Sequence, residues 1–264
     1  MRVVDARWDP DTYLRHAGER ARPFADLLAR VDATGPRAVV DLGCGEGALT
    51  ASLAARWPAA RVTGVDASPE MLAAAAAHAV DGRVAFERGD VRDWRPGGPV
   101  DVVVSNAVLH WVPGHAALLG RWAGWLAPGG RLAVQVPGNH RAPTHRLLAD
   151  LCTSPSWSSR LAAAAPPADP VLDPAGYLDV LTGAGLAADV WETTYLHVLR
   201  GPDPVLSWVR GTVLLPVLAR LDDEAAADLT AEYAAALRAA YPARADGTTV
   251  LPFRRVFLVG AATT

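Results

Sequence analysis

The chain has 264 residues, 51% of them apolar, enough to bury a sizeable core as one large α/β domain with a helical cap. A net charge of −3 and a pI near 6.2 give no global basic field, which disfavours a nucleic-acid partner and leaves a small molecule as the expected ligand. Cys44 and Cys152 are too few and too distant for a disulfide framework or a zinc cluster, no apolar run reaches about 20 residues, and Asp5, Asp9 and Asp11 are unlike an export signal. A soluble cytoplasmic protein is therefore expected, with no membrane partner and no metal.

Residues 1–32 precede the first core strand and read as a helical lid. Asp9-Pro10-Asp11 caps a helix reaching about His16, and a second helix is predicted from Arg22-Pro23 to about Val31, with Phe24, Leu27, Leu28 and Val31 on one face. Val39-Val40-Asp41-Leu42 then runs as a buried strand into Gly43-Cys44-Gly45-Glu46-Gly47 and a helix from about Ala48. The glycines remove Cβ atoms from a tight strand-to-helix turn, so backbone N–H groups can approach a ligand closely. Gly43-x-Gly45-x-x-Ala48 also satisfies the dinucleotide fingerprint, so the turn alone does not choose between two adenosine cofactors. Asp41 favours one of them. A carboxylate is unfavourable beside a pyrophosphate and favourable beside an ammonium, which points to S-adenosylmethionine, a cofactor with an ammonium, a sulfonium and no phosphate. Cys44 reads as a small packing side chain rather than a reactive thiol.

The strand Arg61–Asp66 ends in an acid about 20 residues past the glycines, placed to accept from a ribose diol. Val84–Arg88 leads to Asp90, an acceptor for an adenine amino group, and to the backbone N–H of Val91. The fourth strand, Asp101–Ala107, carries Asn106, and Pro128-Gly129-Gly130 reads as a helix stop and turn feeding a fifth strand. Alternating strands and helices make 36–137 a cofactor-binding core of parallel strands with right-handed crossovers. His110 and Trp111 follow the fourth strand on the carboxyl edge, where open α/β sheets place ligands. Trp111 either walls the pocket or belongs to the core of the next helix, and His110 is expected to hydrogen-bond substrate or water.

Past Pro137 the alternation fails. Segments 138–172, with a helical Arg146–Leu151 and a loop over 153–159, and 200–250, with a periodic helix from Asp222 to Tyr241, are expected to form a substrate cap. Between them lie a predicted helix Tyr177–Gly185 and a sixth strand Val190–Leu199, with which the last strand, Arg255–Ala261, is expected to pair. Trp191, Tyr195 and Trp208 are candidates to line the cap, although packing is the commoner role of such aromatics. Asn139 and His145 are candidate polar contacts at the pocket mouth.

The ordered set of Asp41 to Gly47, Asp66, Asp90, Asn106 and Pro128-Gly129-Gly130 resembles that of class I S-adenosylmethionine-dependent methyltransferases. The resemblance implies an α/β fold, a Rossmann-like seven-stranded sheet flanked by helices, here with an N-terminal helical lid and a helical cap inserted before the last strand. Tyr13, Arg22, Ala67 and Met71 complete the expected cofactor contacts beside Asp41, Gly43, Cys44, Gly45, Asp66, Asp90, Val91 and Asn106. Trp8-Asp9-Pro10-x-x-Tyr13-Leu14, Leu109-His110-Trp111-Val112-Pro113, Ala133-Val134-Gln135-Val136-Pro137-x-Asn139, Trp191-x-Thr193-Thr194-Tyr195 and Pro252-Phe253-Arg254-Arg255-Val256-Phe257 resemble trans-aconitate methyltransferases, so that the likeness spans nearly the whole chain. It departs from them at His110, where the closest family pattern has glutamine.

That resemblance implies methyl transfer to one carboxylate of a small polycarboxylic acid, giving a monomethyl ester and S-adenosylhomocysteine, by a monomer or weak homodimer. Arg20 and Arg22 offer guanidinium forks for the substrate's carboxylates and join His110 and Trp111 as the expected catalytic set. Binding of the cofactor's own carboxylate, or a solvated position on the lid, are the alternatives for both. Arg254 and Arg255 begin the last strand, and alternation sends one of them inward. Two other functions stay open at this point: a hydroxyl or nitrogen acceptor with His110 as general base, and a cofactor-binding protein without turnover.

Overall fold

A computed structural model describes residues 17–167 and 170–263. In chain order the elements are α1 (Ala17–Ala29), β1 (Ala38–Leu42), α2 (Ala48–Arg56), β2 (Arg61–Asp66), α3 (Pro69–Ala75), β3 (Val84–Arg88), β4 (Val100–Asn106), α4 (Ala116–Ala123) and β5 (Leu126–Pro137). There follow α5 (Pro143–Thr153), α6 (Ser158–Leu161), α7 (Pro174–Gly183), β6 (Ala187–Leu199), α8 (Pro204–Arg210), α9 (Leu215–Leu218), α10 (Asp223–Ala240) and β7 (Thr249–Ala261). The described residues divide into two compact units: a sheet unit of residues 20–137, 171–193 and 255–263, and a helical unit of residues 17–19, 138–167, 170 and 194–254. The segments expected as a cap fall mostly in the helical unit.

The seven strands lie in the order β3-β2-β1-β4-β5-β7-β6. The pairs β3–β2, β2–β1, β1–β4 and β4–β5 are parallel and β7 runs antiparallel to β5. Parallel strands are covered on both faces, which is why β4 reads as an unbroken valine run, with Val102, Val103 and Val104 all fully buried. On one face Val103, Leu132, Val134 and Leu258 pack with Leu119, Trp122 and Tyr177 from α4 and α7. This stack brings the carboxyl ends of β1, β4 and β5 side by side, and there the chain leaves the sheet in irregular segments.

Several boundaries differ from the sequence expectation. α1 begins at Ala17 rather than Arg22, with Pro23 in its interior. Proline there loses one helical hydrogen bond, but Phe24, Leu27, Leu28 and Val31 are all buried, and that burial sustains the helix. The described part of the expected lid is thus a packed helix. Its end is held by Arg56, whose Nη2 donates to the carbonyls of Leu28 at 3.1 Å and Val31 at 3.3 Å. Pro128-Gly129-Gly130 is not a turn before β5 but an irregularity within it, where the register to β4 shifts between Val100 and Val102. β7 starts at Thr249, six positions before Arg255, because Pro252 is exposed and no ladder bond is needed from its missing N–H. α3 ends at Ala75 and tightens into a 3-10 turn at Ala76–His78, while α5 is longer than predicted and α6 starts at the end of the expected loop.

In the helical unit, Leu148, Cys152, Trp157, Leu161, Leu229, Tyr233 and Leu237 form the core shared by α5, α6 and α10. Asp222 caps α10 as its spacing suggests, its Oδ1 accepting from Ala225 N at 2.9 Å, and its Oδ2 pairs with Arg160 Nη2 at 2.8 Å. Trp157 Nε1 donates to Glu232 Oε2 at 3.2 Å. The Tyr233 hydroxyl, fully buried, donates to the carbonyl of Thr144 and ties α10 to the first turn of α5. Tyr233→Phe removes that bond and should cost about 0.5–1.5 kcal/mol, read as a lower thermal midpoint without loss of S-adenosylmethionine binding. Trp208 and Tyr195 do not line an open cavity. Both are buried, and Trp208 stacks on His197 at 4.5 Å with Phe253 at 5.8 Å, because edge and helix aromatics here fill the core. Trp191 belongs to the sheet unit, stacked on Phe257 at 4.9 Å under the Arg30 guanidinium.

Candidate functional site

β1 ends at Leu42, and the next residues turn back onto β2: Gly43 N and Cys44 N both donate to Val65 O, at 2.7 and 3.1 Å. Gly45 N donates to Asp66 Oδ2 at 2.9 Å, and Asp66 Oδ1 accepts from Ser68 N at 2.9 Å, so one carboxylate fixes both the glycine loop and the start of α3. Ser68 Oγ then accepts from Met71 N. Gly43 has φ +80°, and a Cβ on it would strike the side chain of Val108. This glycine therefore lets the segment after β4 sit directly on the loop. Gly45 has φ +56° and its missing Cβ would meet nothing within 4 Å, so its Cα lines an open cradle.

Asp41 points from the end of β1 and is only 2% exposed. Burial pushes its carboxyl up to about 6; a hydrogen bond from Thr50 Oγ1 at 2.6 Å works against that, and the neighbouring charge of Asp66 adds to it. Cys44 is buried and its thiol is pushed far above the ordinary range, first by desolvation and then by Asp41 and Asp66, so it is packing and not nucleophile. At the end of β4, Asn106 Oδ1 is buried with no hydrogen-bond partner among the described residues. Ala107 follows with φ +58°, a left-handed conformation costly for a residue with a Cβ, held by its N–H to Gln135 O at 2.9 Å. The strain redirects the chain over the loop, through Val108, into the 3-10 turn Leu109–Trp111.

That turn presents the expected catalytic pair. Trp111 is 55% exposed, which excludes the core alternative, and His110 lies against it at a ring distance of 4.6 Å. Asp90 stands beyond β3, partly exposed, with its carboxylate held below the usual range by Arg92, whose Nε donates to Oδ1 at 2.9 Å and whose Nη2 donates to Oδ2 at 2.5 Å. Oδ1 also accepts from Arg92 N at 2.9 Å, so the lone pair left for a further donor is on Oδ2. Val91 is buried and Ala67 exposed, each next in sequence to its acid, and Met71 is half-buried in the first turn of α3. Arg22 is exposed and lies 3.9 Å from Asp26 one turn along α1. Tyr13 and the Arg20 side chain lie outside the described residues.

The structure separates the two arginines of the last strand. Arg255 is 5% exposed and in the sheet unit, its Nη1 donating to Gln135 Oε1 at 3.0 Å. Arg254 is in the helical unit, where its N–H donates to Asn139 Oδ1 at 2.6 Å and its Nη1 to Gly138 O at 3.3 Å. Asn139 is thereby a structural bracket. His145 is also structural: its Nδ1 is 3.1 Å from Thr144 Oγ1, and burial, with His140 alongside, pushes its imidazole down to about 4, so it is neutral at pH 7. Sequence reasoning gave no role to Thr50, Ala107 or Gln135. Gln135 carried a usable signal, one amide inside the apolar run Leu132-Ala133-Val134-Gln135-Val136, whereas an alanine with positive φ leaves none.

Buried acceptors thus gather at one end of the loop, Asp41 and the orphaned Asn106 oxygen, with Gly45 as an open cradle and Asp66 and Asp90 along the strand edge. This acceptor-rich set fits a cofactor with a cationic amino-acid end and an adenosine, and the fold is that of a class I S-adenosylmethionine-dependent methyltransferase. Residues 39–130 match the methyltransferase domain family. Among solved structures, a putative methyltransferase of Bacillus halodurans has the same fold, with a TM-score of 0.61 at 15% identity over 92% of this chain and 100% of that one. Two curated relatives are similar over nearly the full length: "Trans-aconitate 2-methyltransferase" of Streptomyces avermitilis, 57% identical over 96% of both chains, and its namesake of Streptomyces coelicolor, 56% identical over 98% of this chain and 88% of that one. The chain belongs to the trans-aconitate 2-methyltransferase family.

Proposed function

We propose that this enzyme methylates one carboxylate of trans-aconitate, or of a closely related small polycarboxylate, to a monomethyl ester. The observation that carries the reading is the similarity to relatives of that name over 96% of the chain, helical unit included, since a shared methyltransferase core alone would say nothing of the acceptor. S-adenosylmethionine, when bound, supplies an electrophilic methyl group. Asp41 and Asn106 would hold its ammonium, Asp66 its ribose and Asp90 its adenine, while Gly45 leaves the space for close approach. Trp111 covers the mouth and excludes water from a carboxylate that reacts best when poorly solvated.

A carboxylate is ionised at pH 7, so no residue has to remove a proton from it, and His110 orients the acceptor by a hydrogen bond. His110→Ala should then lower kcat/KM by about tenfold or less and leave the pH profile without a lost limb between pH 6 and 8. A fall of 100-fold or more with disappearance of a limb near neutral pH would instead favour a hydroxyl acceptor with His110 as base. Mass-spectrometric detection of S-adenosylhomocysteine and a methyl ester from trans-aconitate, cis-aconitate, isocitrate and citrate tests the acceptor directly. No helix among the described residues is long and apolar enough to cross a membrane. The two buried, unbridged cysteines suit a reducing cytoplasm, where we place the enzyme as a monomer or weak homodimer acting without nucleic acid.

A further inference from the structure

We propose that Arg255, held by Gln135, is the specificity anchor of the acceptor site: it binds a carboxylate of the substrate that is not methylated. The proposal rests on the polycarboxylate reading above and assigns the part of the chain that distinguishes a polycarboxylate from a simpler acid.

Gln135 is fully buried in β5, amid apolar neighbours. A guanidinium can only donate, so the bond from Arg255 Nη1 fixes the amide with Oε1 toward Arg255 and leaves Nε2 turned the other way. That Nε2 is buried and has no hydrogen-bond partner among the described residues. Interiors rarely leave such a donor unsatisfied, and its natural occupant is an acceptor supplied in the working state. Arg255 stands opposite Pro137, the last residue of β5, on the carboxyl edge of the sheet. Gln135 in turn pairs in register with Asn106, and its carbonyl secures the strained Ala107. A planar guanidinium and an amide NH2 in contact with each other, both 5% exposed or less, form a donor set suited to a carboxylate.

The cofactor's own carboxylate is the wrong occupant. It shares a carbon with the ammonium assigned to Asp41 and Asn106, and strands lie about 4.8 Å apart, which puts Arg255 about three spacings from Asp41 and two from Asn106. The reacting carboxylate is wrong as well, because oxygens tied up by a guanidinium fork are poor nucleophiles. A second carboxylate of the acceptor satisfies both conditions.

The test uses the purified full chain with trans-aconitate and with the unsaturated dicarboxylates obtained by deleting each of its carboxylates in turn. For Gln135→Met and Arg255→Lys, kcat/KM for trans-aconitate should fall about 30-fold or more, mainly through KM. Trans-aconitate has two carboxylates besides the reacting one: toward the dicarboxylate that keeps the anchored one the variants should lose as much as on trans-aconitate, and toward the one that lacks it they should change less than about threefold. The Kd for S-adenosylmethionine, measured by calorimetry, should stay within about threefold. Because Arg255 is buried, the Gln135 variant serves if Arg255→Lys does not fold. Equal losses on trans-aconitate and on every dicarboxylate made from it, or a loss matched by weaker S-adenosylmethionine binding, would overturn the anchor while leaving the polycarboxylate reading intact. A wild type that esterifies none of these acids would overturn that reading, and the anchor with it.

Discussion

Asp41→Asn should weaken S-adenosylmethionine binding by about 100-fold at pH 7 and stabilise the protein without cofactor, because the charge proposed to receive the ammonium is a buried charge the fold alone does not favour. The carboxyl stands near 3.8 when unfolded and is pushed up to about 6 in the fold, mainly by burial. A raised carboxyl contributes stability that is complete below about 3.8 and lost as pH rises through about 6. Two pK units correspond to about 3 kcal/mol, so between pH 4 and 7 the wild type should lose roughly that much relative to the variant. Thermal midpoints of the two proteins across this range, without cofactor, should diverge with pH. Cofactor affinity should move the opposite way, strengthening in the wild type as pH passes upward through 6 and staying flat in the variant. Parallel midpoint curves would show that Asp41 is ionised at no cost and would remove this trade-off between stability and binding.

The second large effect concerns two glycines of one loop that should fail differently. Gly43→Ala requires a left-handed alanine, at about 1–2 kcal/mol, and also drives its methyl into Val108. Stability should fall by roughly 3 kcal/mol, and kcat/KM by about 100-fold or more, since Val108 leads into His110 and Trp111. Gly45→Ala has the conformational cost alone, because no protein atom opposes its methyl. It should fold, with stability lowered by about 1–2 kcal/mol, yet bind S-adenosylmethionine about 100-fold more weakly. Differential scanning fluorimetry with calorimetric titration separates the two. Normal binding by Gly45→Ala would mean that the open space over Gly45 is not where the cofactor lies.

The placement of the acids at the strand ends and of the glycines in one loop was legible in the sequence because the strand-turn-helix pattern fixes where each stands. What surrounds them was not. Thr50 is an unremarkable position in an alanine-rich helix until the helix folds back over Asp41 and aims a hydroxyl at it. Ala107 takes a backbone conformation that its side chain disfavours, so propensity argued the wrong way. The start of α1 was misplaced because proline near a helix start is a good local rule that burial of four apolar residues overrides. Pro128-Gly129-Gly130 announced a break, but only the neighbouring strand decides whether a break becomes a turn or a bulge. Alternation allowed one of Arg254 and Arg255 to face inward and could not say which, since that depends on where Gln135 offers an acceptor. For Trp191, Tyr195 and Trp208 packing was already the commoner expectation, and Trp191 and Trp208 stack on other rings.

Both thiols of the chain are withdrawn from solvent, and the one in the glycine loop is further suppressed by the carboxylates beside it. The cofactor loop therefore carries its own protection against oxidants and alkylating agents: Cys44 can be modified only when the loop opens. With the sulfonium donor in the proposed position, such a suppressed thiol does not itself become the methyl acceptor. The rate of its labelling by a neutral maleimide becomes a direct clock for loop opening, one that cofactor binding should slow.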